Sequence, residues 1–289
     1  VKHNETLLEA AFKVENYETQ GLRAEVDILK RLKGKKFVVD LIQSGKRTKY
    51  KYMIMSLLGP SIRDFILYEV KDDNGKRIDV LVKKCSLSTT LRVGIQALHG
   101  VGLVHRDIKP DNLAFGHRSG GTDPQVVHLF DFGFSRDFVT KEGETMKLRK
   151  PRRQVDFKGT NLYASMSAIS GNEQSRADDL WSLMYVLAEM RLSELPWKKE
   201  GADEEDKKTQ AKLRKKFRMT YDDTKLFQKE NFPPIILKII TYLRYLHRSR
   251  SIDINQYHLQ YPKLLESTRL FIRLSCLPSS NGVGRSQIY

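Results

Sequence analysis

Apolar runs in the first quarter of the chain predict three strands and one helix. Residues 10–14, 37–42 and 50–55 are short and largely apolar, which is typical of strands. Four aliphatic positions between the first two runs recur at helical spacing: Leu22, Val26, Leu29 and Leu32. Gly34 is placed to end that helix. The charged, turn-rich residues 69–84 then predict a surface loop.

Helical patterns dominate the remainder of the chain. Ser88 is placed to cap a helix that runs to about His99, and residues 126–130 form an apolar run typical of a buried strand. The next helical stripe consists of Leu180, Leu183, Met184 and Leu187, and other apolar residues lie on most of the remaining sides of the same helix. A helix that is apolar on nearly all sides is normally buried in the core. A basic run at residues 207–218 indicates an exposed face, and residues 235–246 predict a further apolar helix.

This order of elements, strands first and helices later, predicts an α+β fold with a small β-rich lobe and a larger helical lobe. We expect one domain over residues 1–277, with residues 1–56 in the small lobe and residues 57–277 in the large lobe. Residues 278–289 are polar, contain glycine and serine, and predict a loose tail. A chain of 289 residues can bury a core of this size.

Composition changes this picture mainly through charge. Lysine and arginine outnumber aspartate and glutamate by 51 to 35, so the formal charge is +16 and the surface attracts polyanions. The basic residues are scattered and do not alternate with aromatic ones, so nucleic acid is not the expected partner. No apolar stretch reaches the roughly 18 residues of a membrane helix, so no membrane partner is expected.

The use of cysteine bears on the compartment. Cys85 and Cys276 form neither a metal-binding spacing nor a disulfide framework. Because the first residues also contain no apolar signal segment, we expect a reducing compartment and a cytoplasmic location. Stretches rich in lysine and arginine leave entry into the nucleus open as an alternative.

The strongest chemical signal lies at residues 105–112, which read HRDIKPDN, and in the tripeptide DFG that begins at Asp131. Phosphoryl transfer needs a held nucleophile, a metal ion and compensating positive charge. Asp107 is the candidate to orient a hydroxyl group, and Lys109 is the candidate to offset charge on the moving phosphoryl group. Asn112 and Asp131 offer oxygen ligands of the kind that Mg²⁺ prefers. The two motifs lie in order and 24 residues apart from Asp107 to Asp131, which favours this interpretation over surface caps or turns.

A nucleotide would also need a positive anchor. Lys13 lies in the first predicted strand, and Glu25 lies on the predicted helix that follows. A lysine held by a helix carboxylate can grip the α- and β-phosphates of ATP. Each residue alone would be interpreted as a solvated charge, but their order before the HRDIKPDN segment favours a functional pair.

Several further segments resemble the casein kinase 1 superfamily of serine/threonine protein kinases, and most closely its tau-tubulin kinase branch. The matching segments are residues 57–61 (LLGPS), 86–92 (SLSTTLR), 163–168 (YASMSA), 173–176 (EQSR), 178–183 (DDLWSL) and 195–197 (LPW). The resemblance runs from about residue 9 to residue 197 and continues weakly to about residue 274.

This resemblance implies a bilobal eukaryotic protein kinase fold, which binds ATP with Mg²⁺ between the lobes and phosphorylates serine or threonine. It implies that Met55, at the gatekeeper position, and Leu57, in a hinge at residues 56–58, contact the nucleotide. It also implies that Asp179 anchors the catalytic loop and that Thr160 supports this loop and accompanies serine/threonine specificity.

The resemblance further implies an anion site for acidic or phosphorylated segments of protein substrates. Arg176 matches a family position that helps to bind an anion, and Arg152 and Arg153 belong to the activation segment near it. A solvated loop is the alternative for this basic cluster. We expect a monomer, and cytoskeletal proteins are one candidate class of substrate.

Two departures from the family pattern leave the activity of the chain itself open. Residues 1–10 contain no glycine, so the family's glycine-rich loop and the first strands of the small lobe are expected to be missing. Relative to the family, about six residues are absent between Gln96 and Ala97, which shortens a core helix. We expect a missing exon or a fragmentary gene model to explain both departures, and a divergent protein that has lost catalysis is the alternative.

Two other function classes stay open beside an active kinase. One is a catalytically impaired pseudokinase or interaction scaffold that binds acidic partners through its basic surface. The other is a basic protein that binds nucleic acid or the tubulin lattice. Against the first, the sequence retains the whole set of expected catalytic residues: Lys13, Glu25, Asp107, Asn112 and Asp131.

Overall fold

The computed structural model of the chain describes residues 1, 9–19, 21–67, 70–71, 77–78, 95–142, 145–192, 194–228, 232 and 234–248. The predicted loose tail at residues 278–289, both cysteines and the predicted helix cap Ser88 lie outside the described residues. No helix within these ranges is long and apolar enough to cross a bilayer.

The described part of the small lobe contains a three-stranded antiparallel sheet and one helix. Its strands are β1 (Ala10–Asn16), β2 (Leu41–Lys46) and β3 (Tyr50–Ser56), in the spatial order β1–β3–β2. Helix α1 (Gly21–Arg31) packs a buried aliphatic face against this sheet. The first and third predicted strands and the predicted helix are therefore confirmed.

The second predicted strand, at residues 37–42, is wrong for most of its length. Phe37 has a left-handed φ of 67°, and the strand begins only at Leu41. The run packs instead against Leu129 of the large lobe. The Leu129 N–H donates to the Phe37 carbonyl at 2.9 Å, and the Val39 N–H donates to the Leu129 carbonyl at 3.2 Å. Burial against another lobe leaves the same apolar signal in the sequence as a strand does.

The region predicted as a surface loop contains a small hairpin. Strand β4 (Leu58–Ser61) follows the small lobe, and β5 (Val70–Lys71) pairs antiparallel with β6 (Arg77–Ile78). The prediction of a loop over residues 69–84 is therefore wrong at these four positions. Most of the remaining residues of that stretch lie outside the described ranges.

Six further short strands lie among the described residues of the large lobe: β7 (Leu103–Val104), β8 (Leu113–Gly116), β9 (Val127–Leu129), β10 (Arg136–Asp137), β11 (Val139–Glu142) and β12 (Thr145–Leu148). β4, β8 and β9 form a sheet in the order β4–β8–β9, which confirms the buried strand predicted at residues 126–130. β7 pairs with β10, and β11 and β12 form an antiparallel hairpin.

The described helices of the large lobe are α2 (Ile62–Leu67), α3 (Ile95–Gly100), α4 (Met166–Ile169), α5 (Arg176–Leu192), α6 (Lys207–Thr220), α7 (Asp223–Gln228) and α8 (Pro234–Arg248). Residues 176–190 of α5 are all buried, as expected for a helix that is apolar on nearly all sides. Helix α8 confirms the prediction at residues 235–246, and α3 is the described part of the helix predicted to reach His99.

The basic run at residues 207–218 is a helix that is not exposed throughout. The Asp206 carboxylate caps it by accepting hydrogen bonds from two backbone N–H groups of the first turn. Arg218 is only 2% exposed, and its guanidinium lies 4.4 Å from the ring centre of Trp197 and 4.8 Å from that of Tyr185. The prediction of a solvated face is wrong at this position, because the flat guanidinium stacks on aromatic faces.

We expect Trp197→Ala to destabilise the large lobe by about 3–5 kcal/mol, because it leaves a cavity in the core. The Trp197 side chain is fully buried, and its indole N–H donates to the Leu162 carbonyl at 2.8 Å. Met219→Ala on the same lobe is the control, since that side chain is 67% exposed and its loss changes stability by less than about 0.5 kcal/mol. Denaturant unfolding checks both values, and equal midpoints for the two variants would contradict the packing described.

Candidate active site

A single buried carboxylate holds the backbone of the catalytic loop, residues 105–112. Asp179, on α5, accepts hydrogen bonds from the backbone N–H groups of His105 and Arg106, both at 2.8 Å. The same carboxylate also contacts His99 near the end of α3, whose Nε2 lies 2.8 Å from it. Arg106 has a left-handed φ of 71°, and these hydrogen bonds stabilise that uncommon backbone conformation.

Asp107 lies at the centre of a cluster of polar side chains. The Thr160 hydroxyl donates to Asp107 Oδ1 at 2.7 Å, and the Lys109 ammonium lies 2.8 Å from Asp107 Oδ2. Lys109 also donates to the Thr160 hydroxyl at 3.2 Å. The Asn112 amide donates to the Asp107 backbone carbonyl at 2.9 Å and to Oδ2 at 3.2 Å. The structure therefore brings four of the predicted site residues together.

Gly159 allows Thr160 to approach the catalytic loop this closely. Its φ is +112°, which side chains rarely tolerate, and a Cβ at this position would lie 2.3 Å from the Arg106 carbonyl oxygen. Any larger residue would push the two backbones apart. The close approach thus depends on the absence of a side chain at residue 159.

Lys13 joins the small lobe to the DFG segment. Its ammonium lies 2.8 Å from the buried carboxylate of Glu25 on α1 and 3.2 Å from Oδ1 of Asp131. Burial alone would lower the pKa of Lys13, but the hydrogen bonds and charges of Glu25 and Asp131 outweigh it, so the pKa is raised. The ammonium is therefore held charged between two carboxylates.

The DFG segment is held by contacts to Glu25 on α1 and to His105 in the catalytic loop. Asp131 adopts a left-handed φ of 61°, and the Phe132 N–H donates to the second oxygen of Glu25 at 3.3 Å. The Phe132 ring packs edge to face against His105, with ring centres 5.3 Å apart. These contacts link α1, the DFG segment and the catalytic loop into one arrangement of side chains.

The oxygen ligands present suit a hard divalent cation. The Asn112 side-chain nitrogen contacts Asp107, its side-chain oxygen has no hydrogen-bond partner among the described residues, and the Asp131 side chain is 40% exposed. Within the described part of the chain, no cluster of three or more histidine, cysteine, aspartate or glutamate side chains is arranged for a metal. A cation here would take its other ligands from water and phosphate, which is how Mg²⁺ commonly binds.

The residues predicted to contact the nucleotide base lie where the lobes join. Met55 is partly buried near the end of β3, where it pairs across the sheet with Ala11 on one side and Leu41 on the other. Leu57 links β3 to β4, and its carbonyl is 3.5 Å from the Thr122 hydroxyl.

The three arginines of the predicted anion site lie in different environments. Arg152 is exposed and ion-pairs with Glu173, to which Arg136 also contributes a contact of 3.4 Å. Burial alone would raise the pKa of Glu173, but these two arginines hold it below its ordinary value. Arg153 is exposed, whereas Arg176 is buried, with its guanidinium 4.7 Å from the ring centre of Phe138.

Sequence reasoning missed two residues that shape this site. His99 carries no motif signal, since a histidine at the end of an apolar helix is commonly a satisfied core residue. Glu173 was visible within the EQSR segment, but only the structure shows that it pairs with Arg152 and Arg136.

We expect the stability of the protein to fall as the pH drops from about 7.5 to about 5.5. Burial lowers the pKa of both His99 and His105 from the ordinary value of 6.5. The folded chain therefore keeps both imidazoles neutral, while the unfolded chain takes up protons below that value. Each histidine then removes on the order of 1 kcal/mol of unfolding free energy per pH unit.

His99→Gln tests this assignment, because glutamine can still donate to Asp179 but does not titrate. The variant should lose less stability than the parent over the same pH range, measured by thermal unfolding. An identical pH dependence in the two proteins would show that His99 is not among the groups responsible.

Comparison with known proteins agrees with this geometry. A family model described as a protein kinase domain matches residues 3–251. A Caenorhabditis elegans protein named as a serine/threonine-protein kinase is 38% identical over 180 residues, which cover 59% of this chain and 47% of that protein. A Dictyostelium discoideum protein of the same description is 38% identical over 197 residues, covering 65% of this chain and 37% of that protein. The chain thus spans less than half the length of these relatives.

Proposed function

The chain belongs to the protein kinase family, and from that premise we propose that it transfers the γ-phosphate of ATP to serine or threonine side chains of proteins. The cluster around Asp107 is the observation that carries this proposal. One carboxylate there faces a hydroxyl, an ammonium and an amide, all within 3.2 Å. The resemblance to casein kinase 1, and within it to the tau-tubulin kinase branch, supports placing the chain in that group.

In this proposal Asp107 receives the hydroxyl group of the substrate. Its carboxylate accepts the hydroxyl proton or orients the oxygen for attack, which is the part of phosphoryl transfer that a side chain can supply. Lys109, already 2.8 Å from that carboxylate, offsets the charge on the transferred group. Thr160 holds Asp107 from the other side, so the carboxylate keeps one orientation.

The remaining residues would hold the nucleotide and its metal. Lys13 is oriented by Glu25 and would contact the α- and β-phosphates of ATP, while Met55 and Leu57 would contact the base. Asn112 and Asp131 would ligate Mg²⁺, which supplies positive charge to the phosphates when it is bound. Lys13 already ion-pairs with Asp131, so the two binding functions lie side by side.

Asp107→Asn tests the central assignment. In the full-length protein we expect it to fold as the parent does and to lower kcat by about a thousandfold or more, because the amide cannot accept the hydroxyl proton. Transfer of radiolabelled phosphate from ATP to casein, together with thermal unfolding, measures both effects. Asp40→Asn, an exposed carboxylate outside the site, is the matched control and should leave kcat unchanged.

Equal turnover by Asp107→Asn and the parent would contradict the role of this carboxylate. A folded parent that transfers no phosphate and shows no thermal shift with ATP and Mg²⁺ would favour the alternative function. That alternative is an interaction scaffold that binds acidic partners without catalysis.

We also propose that the substrates are acidic or already phosphorylated segments. The support is charge: a basic stretch of the activation segment lies close to the site in sequence and contains Lys147, Arg149, Lys150, Arg152 and Arg153. Glu173 neutralises part of it through Arg152. We propose that the protein acts as a monomer. A cytoplasmic location is consistent with its cysteine content, and cytoskeletal or nuclear proteins are further candidate substrates.

Arg153→Glu tests this substrate preference without disturbing the pair between Arg152 and Glu173. The KM for a serine peptide flanked by aspartates should rise by about tenfold. The KM for ATP and for a neutral serine peptide should change little. A uniform loss across both peptides would argue against acidic recognition by this stretch.

A further inference from the structure

The basic helix α6 contacts the backbone of the residues that follow the catalytic cluster. Three of its cationic side chains each donate a hydrogen bond to a backbone carbonyl of another segment. The pairs are Arg214 with Lys198 at 3.3 Å, Lys215 with Ile169 at 3.1 Å, and Arg218 with Asn161 at 3.3 Å. At 3.6 residues per turn, the three donors lie within about 100° of one another around the helix. We call these three side chains the α6 clamp.

Two of the three contacts of the α6 clamp hold residues 160–169 near both ends. Asn161 directly follows Thr160, and Ile169 is the last residue of the short helix α4. The final carbonyls of a helix have no partner within it, so Lys215 satisfies one of these groups. Trp197 adds a third contact to the same segment, since its indole N–H donates to the Leu162 carbonyl at 2.8 Å.

Core packing alone does not explain the buried guanidinium of Arg218. It stacks on the rings of Tyr185 and Trp197, and the residue is only 2% exposed. Its Nε and Nη2 atoms have no hydrogen-bond partner in the described part of the chain, and no carboxylate oxygen there lies within 4.0 Å. A methionine would offer apolar contacts to the same rings without burying a charge. The donation to Asn161 is the contact that an apolar side chain could not make.

A short route leads from Arg218 to the candidate catalytic carboxylate. Arg218 holds the carbonyl of Asn161, and the preceding residue, Thr160, donates its hydroxyl to Asp107 Oδ1 at 2.7 Å. The same hydroxyl accepts a hydrogen bond from Lys109 at 3.2 Å. Movement of the Asn161 carbonyl would rotate the peptide backbone beside Thr160 and so displace its side chain.

We infer that the α6 clamp positions Thr160, and through it Asp107, with Arg218 as the central positioning residue. Arg218 itself lies in the core and touches no reacting group. The effect on turnover rests on the proposed function, whereas the effect on residues 160–169 does not. The inference also gives part of the basic run at residues 207–218 a role, because three of its cations bind backbone carbonyls.

Arg218→Met tests the central contact, because methionine can pack against the rings but cannot donate to Asn161. We expect kcat for phosphate transfer from ATP to casein to fall by about tenfold. The KM for ATP should change less than about twofold, since the predicted nucleotide contacts lie elsewhere. Lys216→Met removes the same charge from an exposed position on the opposite side of α6 and should change neither value.

A double-mutant cycle tests the route through Thr160. Thr160→Val keeps the shape of the side chain but removes the hydroxyl that donates to Asp107. If Arg218 acts through this hydroxyl, the double variant should be about as slow as Thr160→Val alone. Losses in kcat that multiply would show that Arg218 acts by another route.

Amide hydrogen exchange tests the clamp without any need for activity. The N–H groups of Tyr163 and Ala164 bond to the Thr160 carbonyl at 3.1 and 3.2 Å, so they report on the held segment. In Arg218→Met their exchange should be about tenfold faster, while exchange within the core helix α5 stays as in the parent. Lys216→Met should match the parent at both places.

Lys215→Met is a second test that does not disturb the core, because Lys215 is only partly buried. It removes the contact to Ile169, so exchange at the end of α4 should become about tenfold faster. The reporters are the N–H groups of Ile169 and Ser170, which bond back into α4. Thermal unfolding verifies that each variant is folded, and Lys215→Met decides the matter if Arg218→Met does not fold.

Three results would overturn the inference. One is unchanged exchange over residues 160–169 in the folded clamp variants. Another is an equal increase in exchange throughout α5, which would mean that Arg218 stabilises the core and no particular segment. The third is multiplying losses in the cycle with Thr160→Val. A folded parent that transfers no phosphate would contradict the proposed function instead, and the exchange measurements would still decide whether the clamp holds this segment.

Discussion

The buried carboxylate of Asp179 is the interaction on which the rest of the site depends. It is about 1% exposed, and its hydrogen bonds to two loop N–H groups and to His99 satisfy it within the core. Burial would raise its pKa, but these donors hold the pKa below the ordinary value, so the anion persists. Without it, the loop would lose the hydrogen bonds that support the left-handed conformation of Arg106, and buried N–H groups would be left unpaired.

Direct contacts connect Asp179 with the other residues of the site, one after another. The fixed loop presents Asp107, which Thr160 reaches because residue 159 is a glycine with no side chain. The same loop places the His105 ring against Phe132, and the backbone of Phe132 donates to Glu25 in the other lobe. The core helix α5 and the small-lobe helix α1 are thus connected through three steps, each a direct contact in the structure.

Much of this was readable from the sequence because the local signals and the fold agree. The apolar patterns predicted β1, α1 and α5 correctly. The sequence also singled out Lys13, Glu25 and Asp131, and the structure brings these three residues together. The sequence failed where a distant partner decided the outcome. Residues 37–40 leave the strand pattern to pair with Leu129 in the other lobe, and Arg218 turns a basic run inward onto two aromatic rings. Neither partner can be identified from local periodicity.

The position of Lys13 between two carboxylates has a consequence for how a cation and a polyphosphate would bind at the site. One ammonium against the carboxylates of Glu25 and Asp131 leaves the cluster with a net negative charge. A polyphosphate approaching it would be repelled unless a cation arrived to neutralise Asp131, and a cation would bind weakly without the phosphates that complete its ligands. The two ligands would therefore be thermodynamically linked, each raising the affinity for the other by the same factor.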